Sequence, residues 1–224
     1  KGLLIIIIHT DKDCTGKVKR MRRIHSVPMA QLIAPISIHI TPMGLPCSAV
    51  NSCEISSPIP SNAAMTAMTL DELSNGRFIM GLGMSGPQVV EGWYGQAYPK
   101  PLARTREYID IVRQVLAREK PVESHGNFYD LPYTATDGAG LGKPLKSTVH
   151  PLRRDIPIFL GAEGPKNVAL SAEICDGWLP LFFSPKEDGF YRKCLNEGFA
   201  KSGEANKSDR FEVASTVMMI PGDD

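Results

Sequence analysis

From residue 61 onward the apolar positions fall into strand-length runs and helix-spaced stripes that take turns along the chain. Met65, Met68 and Leu73 form a partial stripe with alanines between them. This predicts a helix that Ser61 or Asn62 caps and Asn75-Gly76 ends. RFIMGLG, Arg77 to Gly83, reads as a short strand entering the glycine-rich turn MSGPQ, with Pro87 at the first position of a new helix. Arg104 to Glu119 is helical, with Tyr108, Ile111, Val112, Val115 and Leu116 on one face. Two short β-like runs flank His125-Gly126, and a glycine-rich loop, Thr134 to Lys146, is long enough to be functional or mobile. A second strand, IPIFLGA, enters the turn GAEGPKN, where Gly164 caps a helix, Pro165 opens it and Val168, Ala172 and Cys175 face inward. A third strand, GWLPLFF, leads to a helix capped by Ser184-Pro185, faced by Phe190, Tyr191, Cys194, Leu195 and Phe199, and ended by Gly203. Phe211 to Ile220 is a fourth strand. Strands and helices in alternation argue for an α/β fold with parallel strands.

Residues 1–60 are different. GLLIIIIH is an apolar run of strand length, followed by a basic cluster of Lys17, Lys19, Arg20, Arg22 and Arg23. That order is the reverse of a secretory signal, and a solvated tail is favoured over a nucleic-acid arm. Pro28, Pro35, Pro42, Pro46, Pro58 and Pro60 recur without periodicity. Proline at that density defeats regular helix and central strand alike, so no element is expected between Ser26 and Ser61. The chain is therefore divided into an atypical segment, 1–60, and an α/β portion, 61–224.

Composition narrows the classes. At 224 residues and 42% hydrophobic, the chain can build one domain or two small ones. A formal charge of +1 gives no global attraction to nucleic acid or membrane. Five cysteines without C-x-x-C spacing argue against a disulfide framework or zinc site and fit a reducing, cytoplasmic setting. No apolar run approaches the roughly 18 residues that span a bilayer.

The candidate chemistry gathers at the glycine-rich turns. Gly81, Gly83 and Gly86 spell G-x-G-x-x-G, but a dinucleotide fingerprint needs an acid about 20 residues on, at the end of the next parallel strand. Glu107 and Asp110 at that distance lie inside a helix, so the fingerprint is set aside. The same glycines permit positive φ and close approach of a ligand to bare backbone. Glu91 is read as a helix-start or solvated charge, His125 as a turn residue, His150 as a lone candidate general acid, and Trp93 and Tyr94 as closing the core more than stacking on a ring. Arg104, Arg106, Asp110, Arg113 and Arg118 are read as outer charges of their helix. In an α/β barrel the carboxyl ends of all strands open on one face, which holds the site. Two bare-backbone turns there suit a long ligand with a flat ring and a phosphate tail.

GRFIMGLGMSGPQVVEGWYG, RTREYIDIVRQVL and IPIFLGAEGPKNVALSAEICDGWLPLFFSP, in this order, resemble the luciferase-like monooxygenase superfamily, and within it the deazaflavin (coenzyme F420)-dependent oxidoreductases. The resemblance runs from about residue 60 to the end. It implies a (β/α)8 barrel of TIM type holding F420 or FMN at its strand ends, with hydride transfer at the cofactor ring, in some members followed by oxygen activation; the alternative is an inert fragment or a protein that binds flavin without turnover. By resemblance, Gly83, Ser85, Gly86 and Gln88 lie along the cofactor, while Ala162, Gly164, Pro165 and Lys166 hold its phosphate end. The catalytic residues are not named by it, and no metal is implied. The partners it implies are a small-molecule substrate and a second copy of the chain, not nucleic acid or membrane. The family's first three strands are not recognisable in residues 1–60, so an incomplete barrel, from a truncated or frame-disturbed reading of a longer gene, is expected.

Overall fold

The structure is a computed structural model of the 224-residue chain. It describes Leu4–Ile7, Thr10–Lys12, Val18–Met21, Val50–Glu54, 59–181 and 183–219, with side chains for 59–181 and 183–215. In chain order the elements are β1 (Leu4–Ile7), β2 (Thr10–Lys12), β3 (Val18–Met21), β4 (Val50–Glu54), α1 (Pro60–Leu73), β5 (Ile79–Gly83), α2 (Pro87–Val90), α3 (Pro101–Ala117), β6 (Ser124–His125) and β7 (Asp130–Leu131). They continue as β8 (Ile158–Gly161), α4 (Pro165–Ile174), β9 (Gly177–Leu179), a 3-10 turn at Pro185–Glu187, α5 (Asp188–Ser202), α6 (Lys207–Arg210), β10 (Glu212–Val213) and β11 (Thr216–Met219). The chain forms two compact units, Ile38–Ile158 and the pair Lys1–Ser37 with Phe159–Asp224. Parallel strands joined through helices make the fold α/β, of the (β/α)8 barrel type.

In the unit Ile38–Ile158, β4 and β5 pair in parallel from Val50 opposite Ile79 to Glu54 opposite Gly83, and α1 joins them. The strand β4 corrects the expectation of no element before residue 61. Neither Ser61 nor Asn62 caps α1: the helix starts at Pro60, with Ile59 in the capping position and no side-chain cap. Proline supplies the start instead, since its fixed φ and missing N–H suit the first turn. After Leu73 the chain reverses through Asn75 (φ 54°) and Gly76 (φ 76°), and the Gly76 N–H donates to the Asp71 carbonyl at 2.8 Å. The helix buries Ala63, Ala64, Ala67, Met68 and Leu70 against α3, whereas Met65 is exposed. Small alanines on that face let the two helices approach closely.

The apolar face of α3 is buried as expected: Tyr108, Ile111, Val112, Val115 and Leu116. Each such side chain contributes about 1.5–3 kcal/mol of burial. Arg113, on this helix, and Arg118, just past its end, are not outer charges. Arg113 donates to the Ile156 carbonyl at 3.1 Å and Arg118 to the Ser147 carbonyl at 2.9 Å, so the guanidinium groups fasten the incoming loop to the helix. A fully buried carboxylate, Asp71, is held by the fork of Arg153, with Nε 3.1 Å from both oxygens and Nη2 2.5 Å from Oδ1. The Met80 N–H then donates to the Pro157 carbonyl at 2.9 Å.

In the other unit, β8, β9 and β10 pair in parallel, with Phe159 opposite Gly177 and Gly177 opposite Glu212. The helix α4 crosses from β8 to β9 and packs on α5. A Cβ on Gly198 would drive into the Ala169 carbonyl, so only glycine permits that helix spacing. Val168, Ala172, Cys175, Cys194 and Leu195 are buried here, whereas Phe190 is 48% exposed. The strand expected over Phe211 to Ile220 is two strands with different partners: β10 lies parallel to β9, and β11 pairs antiparallel with β1. Ile220 lies outside the described residues. The third strand stops at Leu179 because Pro180 cannot donate to a ladder. An antiparallel pair, β2 with β3, adds a hairpin where none was expected, and it places Lys19 and Arg20 in a strand. Lys17, Arg22 and Arg23 lie outside the described residues.

Candidate functional site

Two turns carry the predicted site residues, one in each compact unit. The first leaves the carboxyl end of β5. Gly83 closes that strand beside Glu54, so β4 and β5 stop together. A Cβ built on Gly83 meets no atom within 4 Å, and its φ is not positive. Among the described residues, therefore, neither packing nor backbone conformation requires glycine at this position. The next residue, Met84, points into the core at 6% exposure. Ser85, half-buried, takes the left-handed conformation (φ 56°), which costs a side-chain-bearing residue roughly 1 kcal/mol or more. Gly86 sits at φ −134° and ψ 160° and precedes Pro87, the first residue of α2.

This corrects one expectation. The positive φ of the turn belongs to Ser85, and Gly81, Gly83 and Gly86 do not adopt it. Gln88 is exposed, on the short α2.

The turn is fastened by a residue the sequence reading did not single out. The Tyr98 hydroxyl donates to the Ser85 carbonyl at 3.0 Å, and the Tyr98 N–H donates to Glu91 Oε1 at 3.3 Å. Burial pushes the Tyr98 phenol above its ordinary 10.0. Trp93 and Tyr94 do not close the core: they are 71% and 39% exposed. The chain turns there through Gly92, where a Cβ would run into the Gln88 carbonyl, and the aromatic pair is carried outward.

The second turn leaves the carboxyl end of β8. Ala162 is buried, and its carbonyl accepts the Trp178 indole N–H at 2.8 Å. Gly164 takes φ 76° and ψ 155°, open around its Cβ position, and Pro165 begins the ten-residue α4. Glu163 Oε1 accepts the Leu181 N–H at 2.7 Å, which ties the turn after β8 to the one after β9. Lys166 is exposed. The arrangement is bare, open backbone at a helix start, and α4 is long enough for its amides and dipole to favour an anion. Trp178 also packs edge-on with Phe183 at 6.2 Å and tilted against Tyr191 at 5.0 Å, building an aromatic wall after β9.

Glu107, Arg104 and His125 are absorbed by structure. Glu107, at the spacing of the dinucleotide acid, accepts the N–H groups of Asn127, Phe128 and Tyr129 at 2.9, 2.8 and 3.3 Å. It is a clamp on the β6–β7 hairpin. Arg104 lies over the Tyr129 ring and donates to its hydroxyl at 3.4 Å. His125 pairs with Asp130 at 2.8 Å across that hairpin. His150 is exposed. Among the described residues no three metal-ligating side chains stand together, and no helix is long and apolar enough to cross a membrane.

The family model described as luciferase-like monooxygenase matches residues 53–224, and the chain belongs to that family. A provisionally named coenzyme F420-dependent oxidoreductase of Mycobacterium tuberculosis, Rv3520c, is 62% identical over 171 residues, which is 76% of this chain and 49% of that protein. A 5,10-methylenetetrahydromethanopterin reductase of Archaeoglobus fulgidus is 33% identical over 74% of this chain and 46% of its own length. Among solved structures, the F420-dependent tetrahydromethanopterin reductase of Methanopyrus kandleri superposes with a TM-score of 0.58 at 24% identity, covering 71% of this chain and 46% of that one. An F420-dependent secondary alcohol dehydrogenase superposes at 0.59 and 20% identity, covering 72% and 47%. The chain spans about half the length of these relatives.

Proposed function

We propose that the chain serves an oxidoreductase that works with coenzyme F420 or FMN on a small organic substrate. Gly83, Ser85, Gly86 and Gln88 lie along the cofactor, and Ala162, Gly164, Pro165 and Lys166 serve its phosphate end. The observation that carries this reading is Gly83: a glycine at a strand's carboxyl end that neither its own backbone conformation nor the packing of the described residues demands. A ligand lying against the backbone supplies the missing reason. The relatives named as F420-dependent support the choice of cofactor.

The bound cofactor supplies hydride transfer at its ring, and the protein contributes placement and electrostatics. Ser85 sets the path of the first turn, and the absence of a side chain at Gly83 lets a flat group approach. At the second turn, the amides that open α4 favour a phosphate, Lys166 adds a positive charge, and the bond from Trp178 to the Ala162 carbonyl keeps the turn from collapsing.

The test is a fluorescence and absorbance titration of the 224-residue chain with F420 and with FMN, on wild type and on Gly83→Val. Wild type is expected to bind at least one of them. G83V is expected to keep the wild-type melting temperature within a few degrees, because a Cβ there meets no atom of the described residues within 4 Å, and to lose at least tenfold in affinity. Binding of neither cofactor by the wild type, or equal binding by G83V, overturns the assignment.

A further inference from the structure

Three facts meet at one peptide. Ser85 holds a left-handed φ of 56° without being glycine or asparagine. Its carbonyl is taken by the Tyr98 hydroxyl at 3.0 Å, and Tyr98 is itself tethered through its N–H to Glu91 at 3.3 Å. In a trans peptide the carbonyl and the following N–H point in opposite directions. Fixing the Ser85 carbonyl toward Tyr98 therefore fixes the Gly86 N–H away from it. Among the described residues no acceptor meets that N–H.

We infer that Tyr98 is a positioning residue for cofactor binding: its hydroxyl holds Ser85 in the left-handed conformation and so keeps the Gly86 N–H turned out as a donor to the bound ring. This rests on the cofactor reading above and adds to it a residue 13 positions downstream of Ser85. Backbone held in a sparsely populated region persists only when its surroundings over-determine it, and the Tyr98 phenol, tethered through its own N–H to Glu91, is the side chain that binds the Ser85 carbonyl. Phenylalanine at 98 keeps the ring and the tether to Glu91 and removes only the latch. Glycine at 85 takes positive φ without cost, so on that background the latch has less to hold.

The experiment measures F420 and FMN affinity by fluorescence, with melting temperatures, for wild type, Tyr98→Phe, Ser85→Gly and the double variant. Y98F is expected to bind about five- to tenfold more weakly than wild type, the value of one hydrogen bond. On the S85G background the same change is expected to cost no more than about twofold. A Y98F protein that melts lower yet binds as wild type would show a merely structural latch and overturn the inference. Equal fold-losses on both backgrounds would also overturn it, since the hydroxyl would not then act through residue 85. A wild type that binds neither cofactor removes the functional reading and the inference with it. A wild type that binds, beside a Y98F that binds equally, sinks the inference alone.

Discussion

Removing the Arg153 guanidinium should destabilise the Ile38–Ile158 unit more than any change of an exposed charge. The Asp71 side chain is fully buried, while Arg153 is 30% exposed. Arg153 makes three contacts with the carboxylate and a fourth, at 2.7 Å, with the Phe78 carbonyl. Without it, Asp71 keeps the Phe78 N–H at 3.3 Å and is otherwise an uncompensated buried charge. Breaking a buried pair by removing one partner costs about 3–5 kcal/mol. Water reaching the exposed part of the arginine weakens the Coulomb part, so R153A is placed at the low end, about 3 kcal/mol. For a chain of this length that corresponds to roughly 6–12 °C in melting temperature. Arg153→Lys keeps the charge but not the fork and should recover only part of the loss. Replacing both partners by leucine removes the stranded charge, so D71L/R153L should cost clearly less than the sum of its singles. The assay is urea unfolding, with the midpoint read at unchanged slope. If R153A lies within about 0.5 kcal/mol of wild type, or the double variant equals the sum of the singles, the clamp argument is wrong.

Gly126→Ala should free the β6–β7 hairpin, because the added methyl would occupy the position of the Glu107 carboxylate, whose three accepted N–H bonds hold the loop. A loss of about 2 kcal/mol is expected, with faster hydrogen exchange confined to 124–131; unchanged exchange there would remove Glu107 as the anchor. Tyr98 gives a pH dependence. Its folded value is raised by burial above the 10.0 of the unfolded chain, so the folded state holds the proton where the unfolded state has released it. The stability it contributes is therefore complete below pH 10 and declines as the pH rises through the folded value, and Y98F should lack that component in alkaline unfolding. The same decline in Y98F would assign it to other groups.

What the chain made legible was decided by periodicity. The face of α3 from Tyr108 to Leu116 is buried residue for residue, because a 3.6-residue stripe has one way to meet a core. The proline starts of α2 and α4, at Pro87 and Pro165, needed only local chemistry. The strand β4 was not legible: five residues, Val50–Glu54, with Asn51 and Ser52 inside and prolines on either side, carry no pattern until β5 supplies a partner. The split of β10 from β11 escaped for the same reason, since a run of apolar residues does not state which neighbour each half will pair with. Aromatic character alone favours a core place for Trp93 and Tyr94, whereas the turn at Gly92 carries them outward.

At the candidate site, the glycines announced the turns but misled on their geometry. A glycine permits positive φ without requiring it, and the residue that adopts it is the serine between them. A strained serine needs an external hold, and that hold came from Tyr98, 13 positions on, at a spacing no local motif encodes. Glycine in the sequence therefore marks where backbone is left bare, which is where we propose that a ligand approaches. The rigidity that fixes the approach is supplied by a side chain with no motif of its own. The same division holds at the second turn, where Gly164 and Pro165 mark the place while Trp178, in β9, and the Leu181 N–H, in the loop after it, fix it. In both turns the motif residues are bare backbone, and the residues that make the backbone rigid are contributed by later segments of the chain.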